Sequence, residues 1–354
     1  MGKSKKRLFI IDGYAILYRA HFALIRNPLI TSYGFHTSAL FGFSNHLLKI
    51  IKEERPDYLV CAFDSKEKTF RHKMYSDYKA NRPEMPDELQ KQLPHLWELL
   101  NAMNIPILKK PGYEADDIIG TITESVSKEE IESYIVSGDK DFMQLINDKI
   151  FLYTPGKRNA SPMIYDARGV LDKWDLPPDK IIDLLALMGD SSDNVPGVAG
   201  VGVKTAVKLL QKYGGLDIIF ENVEKITNKR VNNGLTNCKD DAYLSKELVT
   251  IIKDVDLEYK LDDFIIKSFD NDVLRKKYEE LEFYALLKQL VDTNDSLQND
   301  KIDKKYITVK SLKSLKKLRK DLKQYDILSI DLETTSVDPM TAEIVGISLS
   351  FKSD

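Results

Sequence analysis

Acids that close short apolar runs are the residues here whose type and spacing could do chemistry. Gly112-Tyr113-Glu114-Ala115-Asp116-Asp117-Ile118-Ile119-Gly120 sets three carboxylates at the head of an apolar helical pattern of Ile118, Ile119, Ile122 and Val126. Acids in a first helical turn have an ordinary explanation, since exposed N–H groups and the helix dipole favour negative charge there. Three other runs also end on acids: Arg7-Leu-Phe-Ile-Ile-Asp12, Tyr58-Leu-Val-Cys-Ala-Phe-Asp64 and Tyr134-Ile-Val-Ser-Gly-Asp139-Lys-Asp141. One acid after a strand is a cap or a turn residue. Three such ends beside an acidic helix start exceed what capping explains. Like charges so crowded raise one another's pKa, and hard divalent cations relieve them through oxygen ligands. Two such ions about 3.5–4 Å apart form the arrangement that hydrolyses phosphodiesters.

The elements that would position these acids follow from the same runs. Short apolar stretches alternating with helical patterns read as buried parallel strands, and an open parallel sheet places its sites beyond the strands' carboxyl ends. Asp12, Asp64, Asp139 and Asp141 are therefore expected on one rim, with the Glu114 helix starting beside them. The fold class is α/β, a mostly parallel sheet flanked by helices. Arg19, on the helix expected after Asp12, is placed to reach a phosphate near that rim or to lie on the surface.

Residues 65–83 hold Lys66, Lys68, Arg71, Lys73, Lys79 and Arg82 against Glu67 and Asp77, interleaved with Phe70, Tyr75 and Tyr78. Cations alternating with aromatics suit a single nucleic-acid strand, whose phosphates pair and whose bases stack. Lys79 and Arg82 share a face if the segment is helical. A helix is expected from Pro86 to about Met103, then a strand over Ile105–Leu108. After Asp141 a short helix and a strand at Ile150–Tyr153 follow, and beyond about residue 160 the strand–helix alternation fades.

Lys180–Met188 reads as an amphipathic helix ending in Gly189-Asp190-Ser191-Ser192-Asp193-Asn194. Acids at a helix C-terminus sit against the dipole, so Asp190 and Asp193 point to cation binding. Pro196-Gly-Val-Ala-Gly200-Val-Gly202-Val-Lys204-Thr205 places Gly197, Gly200 and Gly202 ahead of another amphipathic helix. Glycines there let backbone N–H groups approach an anion. The Walker pattern is unmet. The spacing is that of a helix–hairpin–helix, which grips duplex phosphates without reading bases.

Composition bounds the rest. The chain has 354 residues, 30% charged and 43% hydrophobic, with net charge −3 and two cysteines, Cys61 and Cys238. This is an ordinary globular balance, and nothing indicates disulfides. No signal peptide or run of about 18 apolar residues occurs, so a cytoplasmic protein with no membrane partner is expected; nucleoid association and a monomeric state are expected besides.

Asp12-Gly, Ala-Phe-Asp64, Tyr78-Lys-Ala-Asn-Arg82-Pro, Glu114-Ala-Asp-Asp117, Gly138-Asp-Lys-Asp141, Met188-Gly-Asp-Ser-Ser-Asp-Asn-Val-Pro-Gly197 and Gly200-Val-Gly occur in this order. Together they resemble the 5′-nuclease domain of bacterial DNA polymerase I, in the flap-endonuclease superfamily, over roughly residues 5–290. The resemblance implies a PIN/5′-nuclease-like core at 1–170 and a basic helical arch near 66–91. It further implies a helical subdomain with the helix–hairpin–helix at 171–290. Metal ligands and their surroundings would be Asp12, Asp64, Glu114, Asp116, Asp117, Asp139, Asp141, Asp190 and Asp193. They would serve two or more Mg²⁺, with Mn²⁺ able to substitute, and K⁺ would bind backbone oxygens near Val195–Val201. Lys79 and Arg82 would act on the scissile phosphate; Arg19, Arg71, Tyr75, Tyr78, Gly197, Gly200, Gly202, Lys204 and Thr205 would contact DNA. Substrates would be branched, nicked or flapped DNA and RNA–DNA primer junctions. Rival readings are a non-catalytic branched-DNA module, opposed by the complete acid set, and an RNA-processing nuclease, opposed by the duplex-gripping hairpin.

Residues 291–305 read as a polar linker. In 306–354, Lys310–Lys323 reads as an amphipathic helix and Asp331-Leu-Glu333 resembles the first motif of a 3′–5′ exonuclease domain. Two strands alone are marginal, so Asp331 and Glu333 are expected to form no working site, and the chain reads as a fragment.

Overall fold

A computed structural model of the chain describes residues 5–156, 160–290, 307–325, 327–335 and 341–350. Two compact units emerge, Met1–Asn294 and Asp295–Asp354. The expected linker at 291–305 lies outside the described residues.

In the first unit the apolar runs become strands β1 (Arg7–Asp12), β2 (Tyr58–Ala62), β3 (Ile107–Leu108), β4 (Glu132–Val136) and β5 (Ile150–Thr154). All pair in parallel, and β6 (Met163–Tyr165) closes one edge antiparallel to β5. That edge strand lies where alternation was expected to fade; three residues carry too short a pattern to read. The order β3-β2-β1-β4-β5-β6 puts the first strand mid-sheet. The chain winds outward from it in both directions, which opens a crevice at the ends of β1 and β4.

Continuous apolar strands are what a sheet covered on both faces requires. Leu8 and Ile10 of β1 enter one core with Val60, Ile135 and Ile118, while Phe9 and Ile11 enter the other with Leu59, Val136 and Phe43. The first core continues without a break into the helices Ile181–Met188, Val203–Tyr213 and Lys239–Val249, so the sheet and the helices beyond residue 170 pack as one body. The second core takes in Leu274, Tyr278, Phe283 and Leu290.

The basic segment differs from the helical expectation. Only Phe70–Met74 is helical. Tyr75–Arg82 runs through successive turns, and Lys79 sits in the left-handed region at φ 56° with its N–H donated to the Asp193 carbonyl (2.9 Å). Lys79 and Arg82 therefore share a turn, not a helix face. Likewise the helix expected from Pro86 is two, Asp87–Gln90 and Leu93–Ala102.

One buried interaction joins distant parts of this unit. Arg71, 2% exposed, reaches Asp117, 0% exposed, with both guanidinium arms, at 2.7 and 2.8 Å. Its Nε donates to the Leu248 carbonyl (2.8 Å) and Nη2 also to Thr250 (2.7 Å). The Asp117 carboxylate also accepts from the N–H groups of Glu114 (3.1 Å) and Ile252 (3.0 Å). This corrects one expectation: Arg71 has no surface to offer DNA. Asp117, its carboxylate fully engaged and out of contact with water, has no lone pair turned to the cleft. Of the two places the resemblance implies, it keeps that among the surroundings of the metal ligands.

In the second unit the helix Leu312–Leu322 precedes the antiparallel strands Ser329–Thr334 and Ile344–Ser350. Asp331 and Glu333 stand exposed there.

Removing one member of a buried ion pair leaves the other charge stranded, at about 3–5 kcal/mol. Arg71→Ala should therefore lower urea-unfolding stability by about that amount, and Arg71→Lys, lacking the planar fork, should recover only part of it. A loss below about 1 kcal/mol in Arg71→Ala would show that the pair does not hold these segments together.

Candidate functional site

Asp12 ends β1 and caps the helix Gly13–Ala23, accepting from the Ala15 N–H (3.2 Å); its other oxygen accepts from the Ser137 hydroxyl at the end of β4 (2.7 Å). Asp64 follows β2 and accepts from the Ala115 N–H (2.7 Å), which locks the β2 end onto the acidic helix Ala115–Ser127. Asp139 follows β4, takes its N–H to Ser137 (3.0 Å) and accepts from the Asp141 N–H (2.9 Å). The strand ends and the helix start thus meet at one rim.

Across that rim lies an open cleft of about 370 Å³, lined by Ala15, Arg19, Asp139, Asp141, Asp190 and Asp193 among others. Burial, then the charges of Asp64 and Asp139, push the Asp12 carboxyl up to about 7. Burial together with Asp12 and Asp139 holds Asp116 well above the usual carboxylate range, and burial together with Asp139 does the same to Asp141. Burial also raises Asp64 and Asp139. Asp141 Oδ1 is buried without a hydrogen-bond partner.

The remaining acids carry their own cations. Burial would raise Glu114, but Lys79 and Arg71 outweigh it and hold its carboxyl low; Lys79 Nζ lies 2.7 Å from it and 3.8 Å from Asp193. Arg82 pairs with Asp193, and Lys140 with Asp190 at 2.7 Å. Backbone contacts fix these pairs, since Asn81 donates to the Ser191 carbonyl (2.6 Å) and Asn194 to that of Asp77 (2.7 Å). The loop after Met188 and the turns at 75–82 are therefore laced together.

Among the described residues, no group of three or more His, Cys, Asp or Glu side chains is already arranged to hold an ion. The donor set nevertheless fits hard divalent cations. It is all oxygen, its acids at 12, 116, 139 and 141 lack sufficient compensation, and one buried carboxylate oxygen has no partner.

Other expected contacts divide. Arg19 borders the cleft, half-buried, with Nη2 donating to the carbonyls of Pro155 and Gly156 at 2.7 Å. Tyr75 is half-buried against the core. Tyr78 is a correction: it is 4% exposed, with its hydroxyl on Glu114 (3.1 Å), and has no face free for a base. Gly197 is another, because its N–H donates to the Ser245 hydroxyl (2.8 Å) and its backbone packs on Gly189. Gly200 (φ 83°), Gly202 and Lys204 are exposed and Thr205 half-buried. Among the described residues, no backbone acceptor takes the N–H of Gly200 or Gly202. Sequence reasoning gave no role to Lys140 or Ser137; the alternation Asp139-Lys140-Asp141 was the available sign for the first, and nothing marked the second.

Residues 7–175 match the family described as 5′-3′ exonuclease, N-terminal resolvase-like domain, and residues 176–272 that described as 5′-3′ exonuclease, C-terminal SAM fold. A 5′-3′ exonuclease of Aquifex aeolicus (strain VF5) is 42% identical over 285 residues, 80% of this chain and 95% of that one. DNA polymerase I of Bacillus subtilis (strain 168) is 38% identical over 297 residues, which are 84% of this chain and 33% of the polymerase. The solved structure of T5 5′-exonuclease with divalent zinc ions bound has a TM-score of 0.60 at 20% identity, covering 79% of this chain and all of that one (100%). The catalytic core of Rad2 in complex with DNA substrate has a TM-score of 0.57 at 16% identity, covering 81% and 92%. These two likenesses establish a shared fold. By its matched domains and its identity with a whole 5′-3′ exonuclease, the chain belongs to the 5′-3′ exonuclease family.

Proposed function

We propose that this nuclease is a divalent-metal-dependent, structure-specific enzyme that cuts 5′ flaps and removes 5′ nucleotides from nicked DNA and RNA–DNA primer junctions, the work of replication and repair. The observation that carries the reading is the rim at the ends of β1 and β4, where Asp12, Asp116, Asp139 and Asp141 are insufficiently compensated, with Arg19 on the wall of the adjoining cleft and Lys79 and Arg82 held at Glu114 and Asp193.

Asp12, Asp64, Asp116, Asp139 and Asp141 would hold the ions, with Asp190 and Asp193 at the outer wall. Bound Mg²⁺, or Mn²⁺ in its place, would supply a polarised water and neutralise the departing 3′ oxygen, leaving a 5′-phosphate product. Lys79 and Arg82 neutralise charge on the scissile phosphate, which requires each to exchange its present acid for the substrate. Arg19 steers a neighbouring phosphate from the cleft wall. The exposed N–H groups of Gly200 and Gly202, ahead of the helix Val203–Tyr213, take a duplex phosphate, with Lys204 beside them. A K⁺ ion at the hairpin belongs to the same proposal. The Val195 and Val198 carbonyls each accept one hydrogen bond, from Asp190 and Val201, and retain a second lone pair for it. Among the described residues, no helix is long and apolar enough to cross a membrane.

A labelled 5′-flap duplex should be cut near its junction in Mg²⁺ and left intact in EDTA, and Asp139→Asn or Asp141→Asn should slow cutting at least about a hundredfold. Independently of activity, Mg²⁺ should raise the melting temperature of the wild type, because a ligand of the native state stabilises it, and Asp139→Asn should lose that rise. Cutting that persists in EDTA would remove the metal from the mechanism.

Lys79→Ala and Arg82→Ala should each lower kcat about 10²- to 10³-fold if the two cations act on the transition state, measured in single-turnover reactions at saturating enzyme. Unchanged single-turnover rates would strip both residues of that role while leaving the metal site intact.

A further inference from the structure

We propose that Arg230 is a further duplex-phosphate contact, carried on the helix packed behind the glycine hairpin and extending that hairpin's grip along the backbone. The inference rests on reading the hairpin as the duplex-binding element.

The helix is Lys229–Asn237, and its first turn is fixed by Asn228, whose side chain accepts from the N–H groups of Arg230 (3.1 Å) and Val231 (3.3 Å). It lies directly against the hairpin. A Cβ placed on Gly234 would come within 2.1 Å of the Ala199 carbonyl oxygen, so only glycine permits this approach. One turn earlier on the same face, the Arg230 stem lies over Gly200; a Cβ there would be 3.1 Å from both Cγ and Nε of Arg230. Backbone packing at Gly234 thus sets the position of Arg230, and contact with Gly200 directs it across the hairpin.

Arg230 is exposed, and among the described residues no acid pairs with it. Arg71, Arg82, Arg7 and Arg19 are committed, to Asp117, Asp193, Glu54 and two carbonyls. Arg26, Arg55 and Arg275 are exposed like Arg230, and what sets Arg230 apart is its seat over the Gly200 turn. An unpaired guanidinium held over the Gly200 turn, in a hairpin whose Gly200 and Gly202 N–H groups have no backbone acceptor among the described residues and which runs on to the exposed Lys204, has the chemistry of a phosphate clamp. Its planar fork meets two phosphate oxygens at once. The contact reads no base and so carries no sequence preference.

The test measures binding of a labelled nicked duplex by fluorescence anisotropy, using the full chain in EDTA so that no cutting occurs, over a KCl series. Arg230→Ala should weaken binding about three- to tenfold near 0.1 M salt and reduce the slope of log K against log salt by about one. Arg230→Gln, which keeps most of the stem, should behave the same way, and Arg230→Lys should restore the slope. A 5′ single strand should bind Arg230→Ala as it binds the wild type. Wild-type duplex affinity and slope in Arg230→Ala, alongside weakened binding by Lys204→Ala, would overturn the Arg230 assignment and leave the hairpin reading standing. No loss in either variant would overturn the hairpin reading and this inference with it. Equal losses on single strands and duplexes would also overturn the assignment, by placing Arg230 in strand capture.

Discussion

The Arg71–Asp117 pair is the constraint on which the site depends. Burying two charges is costly, and attraction between them offsets the cost only when every donor and lone pair is also used. Here nearly all are. The guanidinium serves two carboxylate oxygens and two carbonyls, and the carboxylate takes two further N–H groups. These partners come from the helix Phe70–Met74, from the start of the acidic helix, from the end of the helix Lys239–Val249 and from the segment that follows it. Gln144 repeats the stitch by donating to the Val249 carbonyl (2.9 Å) and accepting from the Ile251 N–H (2.9 Å). Because Asp117 holds the Glu114 N–H, the pair fixes where the acidic helix begins, and with it the Glu114 carboxylate on which Tyr78 and Lys79 close. A fork with directional donors admits one such arrangement where an apolar plug would admit several.

Charge balance then divides the cleft into two zones. Glu114, Asp190 and Asp193 are met by Lys79, Lys140 and Arg82. Asp12, Asp116, Asp139 and Asp141 are driven toward protonation by burial first and then by neighbouring carboxylates, each having more acids than cations about it. Like charges so placed favour folding only if protons or cations accompany them. The second zone is therefore the part of the site that a divalent cation would change most. The first zone stores two cations, Lys79 and Arg82, beside the position where phosphate charge would arrive.

What the sequence made legible follows the same division. Strand-end acids could be read because a buried parallel strand writes itself as a continuous apolar run and its last residue must emerge at the rim; Asp12, Asp64 and Asp139 all obey that geometry. The amphipathic helices at 181–188 and 203–213 and the glycines between them were equally readable, since period and turn chemistry are local. The Arg71–Asp117 pair was not, because the two lie 46 positions apart and each sits in a stretch whose neighbours do face the site. Spacing also misplaced Lys79: Tyr75–Arg82 can be written as a helical face, but Asp193 takes the Lys79 N–H and turns the chain left-handed there. Gly197 looked like an anion-binding glycine by its company, whereas its close approach to Gly189 and its bond to Ser245 are tertiary facts.

That approach of Gly197 to Gly189 has a consequence for how cutting position would be chosen. The loop between them carries Asp190 and Asp193 of the cleft, closes through paired hydrogen bonds between Asp190 and Val195, and leads directly into the hairpin. A Cβ on Gly197 would lie 2.4 Å from the Gly189 nitrogen, so the two backbones are in contact and the ends of the loop are held together. Its far side is laced to the turns at 75–82 through Asn81 and Asn194. If the hairpin holds the duplex as proposed, the separation between a gripped phosphate and the acids of the cleft is set by one short, closed loop. Substrate structure would then select the scissile bond by a fixed span of backbone, with no base read at all. Selection by span is the behaviour expected of an enzyme whose substrates share a junction and no sequence.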